Sequence, residues 1–253
     1  MTSEHGSINS SRGVLITGGS GGLGAHLVRQ MVRVGHPVYF TYLHNRVDAD
    51  ALVAECIAAG GHCHAIAADV RDESTIATIV ARMDSNGHPI AVLVNNAGIT
   101  HSAMSWKMGT EQWRETYEVN VTGAFIATRA ALPGMRERGF GRVLSISSVV
   151  GHRGIPGTSA YAASKAALGG FTRAVASEVA SRGITVNCLV LGYFDAGMGR
   201  QLPEKMVEKT LQSIPCGRFG DPENVAKVVS FLASDTCEYI TGQEITIDGG
   251  FLG

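Results

Sequence analysis

Short apolar segments alternate with longer amphipathic segments along most of the chain. The apolar segments are rich in Val, Ile and Leu, and most of them show no alternation with polar positions. We predict about seven strands, at residues 14–17, 38–42, 64–67, 91–95, 143–146, 184–190 and 245–247. Strands that are apolar on both faces are typical of a parallel sheet that helices cover on both sides.

The segments between these strands repeat apolar positions with the spacing of an amphipathic helix. We predict helices near residues 23–34, 47–59, 72–85, 110–132, 159–182 and 222–233. This alternation indicates an α/β fold, with a doubly wound parallel sheet of about seven strands and helices on both faces. The polar residues 1–12 predict a flexible N-terminal arm, and no linker or repeat divides residues 13–253, where we expect a single domain.

Composition and charge exclude several classes of function. Charged residues make up 17% of the chain and the formal net charge is -1, which gives no basic surface for nucleic acid. The five cysteines are scattered without a Cys-x-x-Cys pair, so we expect neither a disulfide framework nor a metal site. Residues 1–12 lack the apolar segment of a signal peptide, and no apolar run is long enough to span a bilayer. These features predict a cytoplasmic protein with reduced thiols.

A glycine-rich turn connects the first predicted strand to the first predicted helix. The turn runs from Thr17 to Gly24 and has the sequence TGGSGGLG. Gly18 permits a tight turn, Gly22 permits close approach of a pyrophosphate, and Gly24 permits close packing of the helix on the strand. Strand, turn and helix in this order predict a Rossmann-like dinucleotide site, with an ordinary βα turn as the alternative. The predicted cofactor contacts are Gly18, Gly19, Ser20, Gly21, Gly22, Leu23 and Gly24.

The end of the second predicted strand bears on the choice of nicotinamide cofactor. An NAD-preferring site usually has an Asp or Glu here, which binds the ribose 2′-hydroxyl. No acid occurs before Asp48, and His44, Asn45 and Arg46 can instead meet a 2′-phosphate. We therefore expect NADPH in preference to NADH, with a solvated basic loop as the alternative for these three residues.

The third predicted strand is followed by Asp69 and Val70. At the carboxyl edge of the sheet, the Asp69 carboxylate can accept a hydrogen bond from an adenine amino group. Asp69 or Asp72 can equally cap the helix that follows, because Asp is favoured at that position.

The fourth predicted strand ends in the sequence NNAG. The amides of Asn95 and Asn96 can tie neighbouring strand ends together, and Ala97 and Gly98 leave room for a cofactor, although a simple turn fits this sequence as well.

Asn120 lies inside the next helical pattern, where an amide competes for backbone hydrogen bonds. Asn120 therefore either points inward and binds a partner, such as an ordered water, or faces solvent.

The candidate catalytic residues lie between residues 147 and 165. Tyr161 and Lys165 are four residues apart on a predicted helix and so share a face. A nearby ammonium stabilises a phenolate and lowers the pKa of the phenol, which suits proton transfer near neutral pH. Ser148 follows a strand and can form a hydrogen bond to the same substrate carbonyl oxygen as Tyr161. A core tyrosine and a solvated lysine are the alternative.

These motifs occur together in a specific order along the chain. The order is TGGSGGLG, Asp69-Val70, NNAG, Asn120, Ser148, the YAASK that ends at Lys165, and Asn187. The series resembles the short-chain dehydrogenase/reductase family, and most closely its 3-oxoacyl-[acyl-carrier-protein] reductase branch, over residues 12–253. The ending TGQEITIDGG resembles that branch as well.

The resemblance implies a role for each candidate. Tyr161 resembles the catalytic acid/base, and Lys165 the lysine that lowers the tyrosine pKa and holds the nicotinamide ribose. Ser148 occupies the position that orients the substrate carbonyl, and Asn120 the position that anchors the water of a proton relay. The implied adenine and ribose contacts are Asp69, Val70 and Asn96.

Three positions depart from the family pattern. Gly21 stands where relatives commonly have an Arg that helps to bind the 2′-phosphate. Leu191 replaces a Pro, and Ala196 replaces the Thr whose hydroxyl usually meets the nicotinamide carboxamide. Loss of such a hydrogen bond costs about 0.5–1.5 kcal/mol. We expect weakened rather than lost cofactor binding, with backbone groups near Phe194 supplying a contact.

The resemblance implies an NADPH-dependent ketoreductase. The substrate would be a 3-oxoacyl thioester on acyl carrier protein or coenzyme A, reduced to the 3-hydroxyacyl thioester in fatty acid, polyketide or related biosynthesis. The alternatives are a reductase or dehydrogenase of a free ketone or secondary alcohol, and a dinucleotide-binding sensor without turnover. The segment from Ala196 to Ile214 lies where relatives carry a substrate lid.

The resemblance also implies partners. The family is commonly tetrameric, and residues 110–132 and 159–180 would supply one interface of a homotetramer. An acidic acyl carrier protein would need basic residues beside the mouth of the site. Arg136, Arg138 and Arg182 are the candidates for this contact, or they are simply solvated at helix ends.

Overall fold

Seven parallel strands form one sheet in the computed structural model, which describes residues 11–197 and 204–253. The strands are β1 Gly13–Ile16, β2 Val38–Tyr42, β3 Cys63–Ala67, β4 Ile90–Asn95, β5 Gly141–Ser148, β6 Ile184–Leu191 and β7 Glu244–Ile247. Their order across the sheet is β3-β2-β1-β4-β5-β6-β7. Every neighbouring pair is parallel, so the predicted strands and the predicted α/β class are confirmed.

Eight α-helices within the described ranges surround the sheet. They are α1 Gly22–Arg33, α2 Arg46–Ala58, α3 Glu73–Ser85, α4 Thr110–Tyr117, α5 Gly123–Arg138, α6 Ser159–Val179, α7 Glu204–Gln212 and α8 Pro222–Ala233. None of the helices described here combines the length and the apolar character needed to cross a bilayer. The predicted N-terminal arm falls almost entirely outside the described residues.

The sheet separates two apolar cores. Val14 and Ile16 of β1 lie in one core, together with buried residues of α1, α2 and α8. Leu15 lies in the other core, together with buried residues of α3, α5 and α6. Successive side chains of a strand point to opposite faces. A strand covered on both faces must therefore be apolar throughout, and this requirement explains the fully buried sequence GVLI of β1.

The helix predicted at residues 110–132 is interrupted. α4 ends at Tyr117, a π-helical turn spans Glu118–Thr122, and α5 continues to Arg138. π-helical turns inside helices are frequently found at functional sites. The sequence pattern also does not predict α7, which lies within the segment identified above as a lid; residues 198–203 of that segment lie outside the described residues.

The strand order places a crevice between β1 and β4. The chain adds β2 and β3 on one side of β1 and then crosses to β4 on its other side. Connections that leave the carboxyl ends of β1 and β4 therefore diverge, and open α/β sheets bind ligands at this point.

Two histidines near the amino-terminal edge of the sheet have lowered pKa values. His36 Nδ1 lies 3.1 Å from the Arg12 carbonyl oxygen, and burial lowers the pKa of His36 despite this hydrogen bond. Burial also lowers the pKa of His64, and the charge of Arg82 lowers it further. Both imidazoles therefore resist protonation more strongly in the folded protein than in the unfolded chain.

We expect the free energy of unfolding to fall as the pH is lowered from about 7.5 to about 5.5. An unfolded histidine binds a proton near pH ~6.5, whereas folded His36 and His64 bind it only at lower pH. Their contribution is therefore present above the unfolded pKa and is lost as the pH falls through and below it. Urea denaturation at the two pH values measures the decrease. The double variant His36→Gln, His64→Gln should show a smaller decrease, and an undiminished decrease would contradict this assignment.

Candidate active site

A cleft of about 630 Å3 opens at the carboxyl ends of the strands. It is bounded by the segments that follow β1, β2, β3, β4, β5 and β6. The predicted site residues that line it are Gly18, Ser20, Gly21, Gly22, Leu23, His44, Asp69, Val70, Asn96, Ala97, Gly98, Ser148, Tyr161, Lys165 and Phe194. The predicted site residues outside its lining are Gly19, Gly24, Asn45, Arg46 and Asn120.

The glycine-rich turn leaves no space for a side chain at two of its positions. Gly18 has a φ of +65°, and a Cβ atom there would lie 2.9 Å from Ala97 Cα. A Cβ atom on Gly24 would lie 2.3 Å from the Gly18 carbonyl oxygen. The start of α1 has no side-chain cap among the described residues, and its first turn contains no acid. These N–H groups can therefore bind a pyrophosphate, and the turn fits a dinucleotide.

Two threonines that the sequence reasoning does not identify hold this turn in place. Thr41 Oγ1 accepts a hydrogen bond from the Gly18 N–H at 3.0 Å. Thr17 Oγ1 accepts hydrogen bonds from the N–H groups of Asn96 and Ala97, both at 3.1 Å. Asn96 Nδ2 donates to the carbonyl oxygens of Thr17 at 3.0 Å and of Gly18 at 2.8 Å. The prediction that an amide of NNAG ties neighbouring strand ends together is confirmed.

Asp69 lines the cleft but its carboxylate is already bound by a neighbour. Asp69 Oδ1 accepts from the backbone N–H and from Nε of Arg71, both at 2.9 Å. The Arg71 guanidinium also holds the pKa of Asp69 below its usual range. Asp72 caps α3, accepting from the N–H groups of Ser74 and Thr75, so the alternative cap by Asp69 is excluded. Arg71 is a residue of the cleft wall that the sequence reasoning does not identify.

The three predicted 2′-phosphate contacts that follow β2, at residues 44–46, have different surroundings. His44 lines the cleft. Asn45 Nδ2 donates to Asp48 at 2.6 Å, and Arg46 Nε donates to Asp50 at 3.4 Å. The side chains of Asn45 and Arg46 therefore bind acids of α2, and His44 alone of the three borders the cleft.

Ser148, Tyr161 and Lys165 converge in the cleft. Ser148 is the last residue of β5, and Tyr161 and Lys165 lie one turn apart near the start of α6. Lys165 Nζ donates to the Ile146 carbonyl oxygen at 2.8 Å and lies 5.5 Å from the centroid of the Tyr161 ring. Ser147 Oγ donates to the Lys165 carbonyl oxygen at 2.8 Å, which fixes α6 against β5.

Burial controls the titration of both candidate groups. Burial raises the pKa of Tyr161 to about 12, and a hydrogen bond with Ser148 offsets part of the increase. Burial lowers the pKa of Lys165 to about 8. The direction for Tyr161 is opposite to the sequence expectation, because burial disfavours the phenolate and the Lys165 ammonium donates to Ile146. The folded chain therefore holds Tyr161 as a neutral phenol at pH ~7, able to donate a proton.

Asn120 points inward from the π-helical turn and is 2% exposed. Its Oδ1 accepts from the Ile99 N–H at 2.8 Å, and its Nδ2 donates to the Ile99 carbonyl oxygen at 3.0 Å and to Ser164 Oγ at 2.9 Å. The inward alternative is confirmed. A Cβ atom on Gly98 would lie 3.3 Å from Asn120 Oδ1 and 3.4 Å from Lys165 Nζ. Gly98 therefore borders the space between these two side chains.

The positions that depart from the family pattern also lie at the cleft. Gly21, Leu191 and Ala196 line it, and so does Phe194. A Cβ atom on Gly220 would lie 2.4 Å from the Phe194 ring, so the ring packs directly on that glycine. The Gly220 N–H donates to the Tyr193 carbonyl oxygen at 2.8 Å. The backbone around Phe194 is therefore held against the segment before α8.

The arginines expected to meet an acyl carrier protein lie at the opposite edge of the sheet. Arg136 and Arg138 are in the last turn of α5, which precedes β5, and Arg182 is in the turn that precedes β6. The cleft lies where β5 and β6 end, and each of these strands is eight residues long. A strand of that length spans roughly 26 Å. The prediction that these arginines flank the mouth is therefore wrong for the single chain.

Sequence comparison relates this chain to known reductases. The sequence profile of the family described as enoyl-(acyl carrier protein) reductase matches residues 18–252. An acetoacetyl-CoA reductase of Rhizobium meliloti is 42% identical over 241 residues, which are 95% of this chain and 98% of that protein. A 3-oxoacyl-[acyl-carrier-protein] reductase of Synechocystis sp. is 39% identical over 239 residues, which are 94% of this chain and 96% of that protein.

A solved structure of a short-chain dehydrogenase/reductase has the same fold as this chain. A double mutant of a short-chain dehydrogenase/reductase from Serratia marcescens matches with a TM-score of 0.90 and 33% sequence identity. The match covers 96% of this chain and 98% of that chain, so it includes both the sheet and the cleft. The chain therefore belongs to the short-chain dehydrogenase/reductase family of oxidoreductases.

Proposed function

We propose that the protein is a cytoplasmic, NADPH-dependent ketoreductase. It reduces a 3-oxoacyl thioester, carried by coenzyme A or acyl carrier protein, to the 3-hydroxyacyl thioester in fatty acid, polyketide or related biosynthesis. The observation that carries the proposal is the convergence of Ser148, Tyr161 and Lys165 in a cleft that the glycine-rich turn also lines. The names of the two relatives described above support a 3-oxoacyl thioester as the substrate.

The residues of the cleft fit a nicotinamide adenine dinucleotide. The N–H groups at the start of α1 would hold the pyrophosphate, and Asp69 and Val70 would meet the adenine. Lys165 would hold the nicotinamide ribose, and backbone groups near Phe194 would meet the carboxamide. When bound, the reduced cofactor supplies the hydride that the substrate carbonyl carbon accepts.

Tyr161 is the proton donor in this proposal. Its pKa of about 12 keeps the phenol protonated at neutral pH, so the proton passes from Tyr161 Oη to the carbonyl oxygen as that oxygen gains negative charge. Ser148 donates a second hydrogen bond to the same oxygen. Ser148 Oγ accepts from the Val150 N–H at 3.3 Å, so its own proton can be donated, to Tyr161 in the chain alone and to the substrate oxygen in this proposal. Donors directed at a developing oxyanion lower the barrier to reaction.

Lys165 and Asn120 restore the proton to Tyr161. The Lys165 pKa of about 8 keeps the ammonium as the main form at neutral pH while allowing it to release a proton. The same ammonium stabilises the phenolate that remains after transfer. Asn120 anchors the water through which Lys165 regains its proton, and Gly98 leaves space for this exchange.

The apolar part of the cleft wall suits an acyl thioester. Val149, Val150, Leu191 and Phe194 line it with apolar atoms, which favour the acyl chain and the thioester over a charged or strongly polar substrate. We retain coenzyme A and acyl carrier protein as alternative carriers, since the proposed chemistry at Tyr161 is the same for both.

The end of β2 supports NADPH over NADH. Residues 41–44 line the cleft as Thr, Tyr, Leu and His, and contain no carboxylate to bind a ribose 2′-hydroxyl or to repel a 2′-phosphate. His44 and Ser20 are polar side chains at this end of the cleft that can bind the phosphate.

We also propose a homotetramer, with one interface formed by α4, α5 and α6. Phe125 of α5 is 42% exposed and packs edge-on against Phe171 of α6, with 6.5 Å between ring centroids. Covering this aromatic surface with a second copy would remove apolar area from water.

Substitution Tyr161→Phe should lower kcat with acetoacetyl-CoA and NADPH by at least about 10²-fold, because a positioned general acid contributes 10²–10⁴. The dissociation constant for NADPH, measured by fluorescence titration, should change by no more than about twofold. Tyr117→Phe, which removes a phenol outside the cleft lining, is the matched control.

Near wild-type turnover by the Tyr161→Phe variant would overturn the mechanism. If the wild-type protein reduces free ketones and no thioester, the substrate is a free ketone. If it binds NADPH and reduces neither class, the protein is a sensor.

Substitution Gly98→Ala should lower kcat by about tenfold, because the added methyl group crowds the space between Asn120 and Lys165. Gly170→Ala on α6 is the matched control, since a Cβ atom there would meet nothing within 4 Å. Steady-state kinetics and thermal melts of both variants distinguish a relay defect from a folding defect. Full activity of Gly98→Ala would show that proton exchange does not need this space.

Steady-state kinetics with both cofactors should give a higher kcat/KM for NADPH than for NADH. Substitution His44→Asp should lower kcat/KM for NADPH selectively, because a carboxylate at the end of β2 repels the 2′-phosphate and favours a 2′-hydroxyl. A wild-type preference for NADH would refute this part of the proposal.

A further inference from the structure

Glu244 connects the last strand of the sheet to the helix that carries Tyr161 and Lys165. Glu244 is the first residue of β7, and its carboxylate lies directly on the backbone of Gly169 in α6. A Cβ atom on Gly169 would lie 2.4 Å from one carboxylate oxygen and 2.6 Å from the other. Glycine destabilises the interior of a helix, and Gly169 lies in the middle of this 21-residue helix. A larger residue at this position would collide with the Glu244 carboxylate.

A histidine and an arginine contact the Glu244 carboxylate. His152 Nε2 lies 3.0 Å from Glu244 Oε2, and Arg173 donates to Glu244 Oε1. The Glu244 side chain is 20% exposed, compared with 37% for His152 and 60% for Arg173. Arg173 extends along α6 from Gly169, whereas His152 belongs to the turn between Ser148 and Tyr161. Glu244 therefore bridges α6 to that turn.

The turn at residues 149–153 packs on the same face of α6. A Cβ atom on Gly151 would lie 2.8 Å from the Ala166 nitrogen, so the turn touches the helix backbone next to Lys165. The N–H of His152 donates to the Val149 carbonyl oxygen at 3.0 Å, which closes the turn. The backbone of His152 is therefore part of the same turn that follows Ser148.

The turn also orients the hydroxyl group of Ser148. The Val150 N–H donates to Ser148 Oγ at 3.3 Å, and Ser148 in turn hydrogen-bonds to Tyr161. A continuous series of contacts thus runs from Glu244 through His152 and the turn to the reacting oxygen atoms.

We propose that Glu244 is a positioning residue for reduction: through His152, it holds the turn that directs Ser148 and Tyr161 at the substrate carbonyl. This inference rests on the proposed function, because it assigns Ser148 and Tyr161 to that reaction. The Ser148 hydrogen bond strengthens as the oxyanion forms, so loss of its orientation reduces kcat and leaves ground-state binding largely unchanged.

The test is steady-state kinetics with acetoacetyl-CoA and NADPH on Glu244→Gln, His152→Gln and the double variant. Each single variant should lower kcat by about 3–10-fold, with the substrate KM and the NADPH dissociation constant within about twofold of wild type. The double variant should be no slower than the slower single variant, because both changes break the same contact. His152→Lys, which places an ammonium group beside the carboxylate, should recover most of the rate.

Glu223→Gln provides a matched control. Glu223 is also held by a histidine and an arginine, with His26 Nδ1 at 2.9 Å and Arg33 at 3.5 Å, and its side chain is 29% exposed. These contacts of Glu223 join α1 to α8 and do not involve the turn at residues 149–153. Glu223→Gln should therefore keep kcat within about twofold of wild type.

Hydrogen–deuterium exchange tests the inference without turnover. Peptides that cover residues 149–158 should exchange faster in Glu244→Gln than in wild type and in Glu223→Gln, both with and without NADPH. Wild-type exchange together with wild-type kcat in Glu244→Gln would overturn the inference. If the wild-type protein fails to reduce acetoacetyl-CoA while exchange still increases in Glu244→Gln, the contact is real and the proposed function is at fault.

Discussion

Hydrogen bonds between strand ends determine the shape of the cleft. Asn96 joins β4 to the backbone of Thr17 and Gly18 after β1. Asn95 joins β4 to β5, donating to Ser145 Oγ at 3.3 Å. A buried amide left without a partner costs about 1–3 kcal/mol, so these strand ends cannot separate without a large penalty. The glycine-rich turn and Ser148 therefore occupy fixed positions on either side of β4.

The sequence predicts the sheet and the reacting groups well because short-range rules decide them. Strands covered on both faces must be apolar throughout, which locates each strand. Helical spacing places Tyr161 and Lys165 on one face, and the direction of β5 places Ser148 beside them. The glycine-rich turn is equally local, since strand, turn and helix follow each other directly in the chain.

The remaining features depend on contacts between distant segments. Asn120 faces inward because Ile99 and Ser164 complete its hydrogen bonds, and neither partner is near it in sequence. The Tyr161 pKa rises because the folded chain buries the phenol, which no local pattern reveals. The error over Arg138 and Arg182 has a geometric cause: residues that precede a long strand lie at the edge of the sheet from which that strand leads away.

The two cores have a consequence for how the molecule can deform. The glycine-rich turn leads into α1, which packs in one core, whereas Tyr161 and Lys165 belong to α6, which packs in the other. The two halves of the cleft are therefore anchored to different layers, with the sheet as a partition between them. A small shear of one layer against the sheet changes the separation of the two halves while each core keeps its own packing. Substitutions at two successive residues of one strand, such as Val14 and Leu15 of β1, thus loosen opposite halves of the cleft.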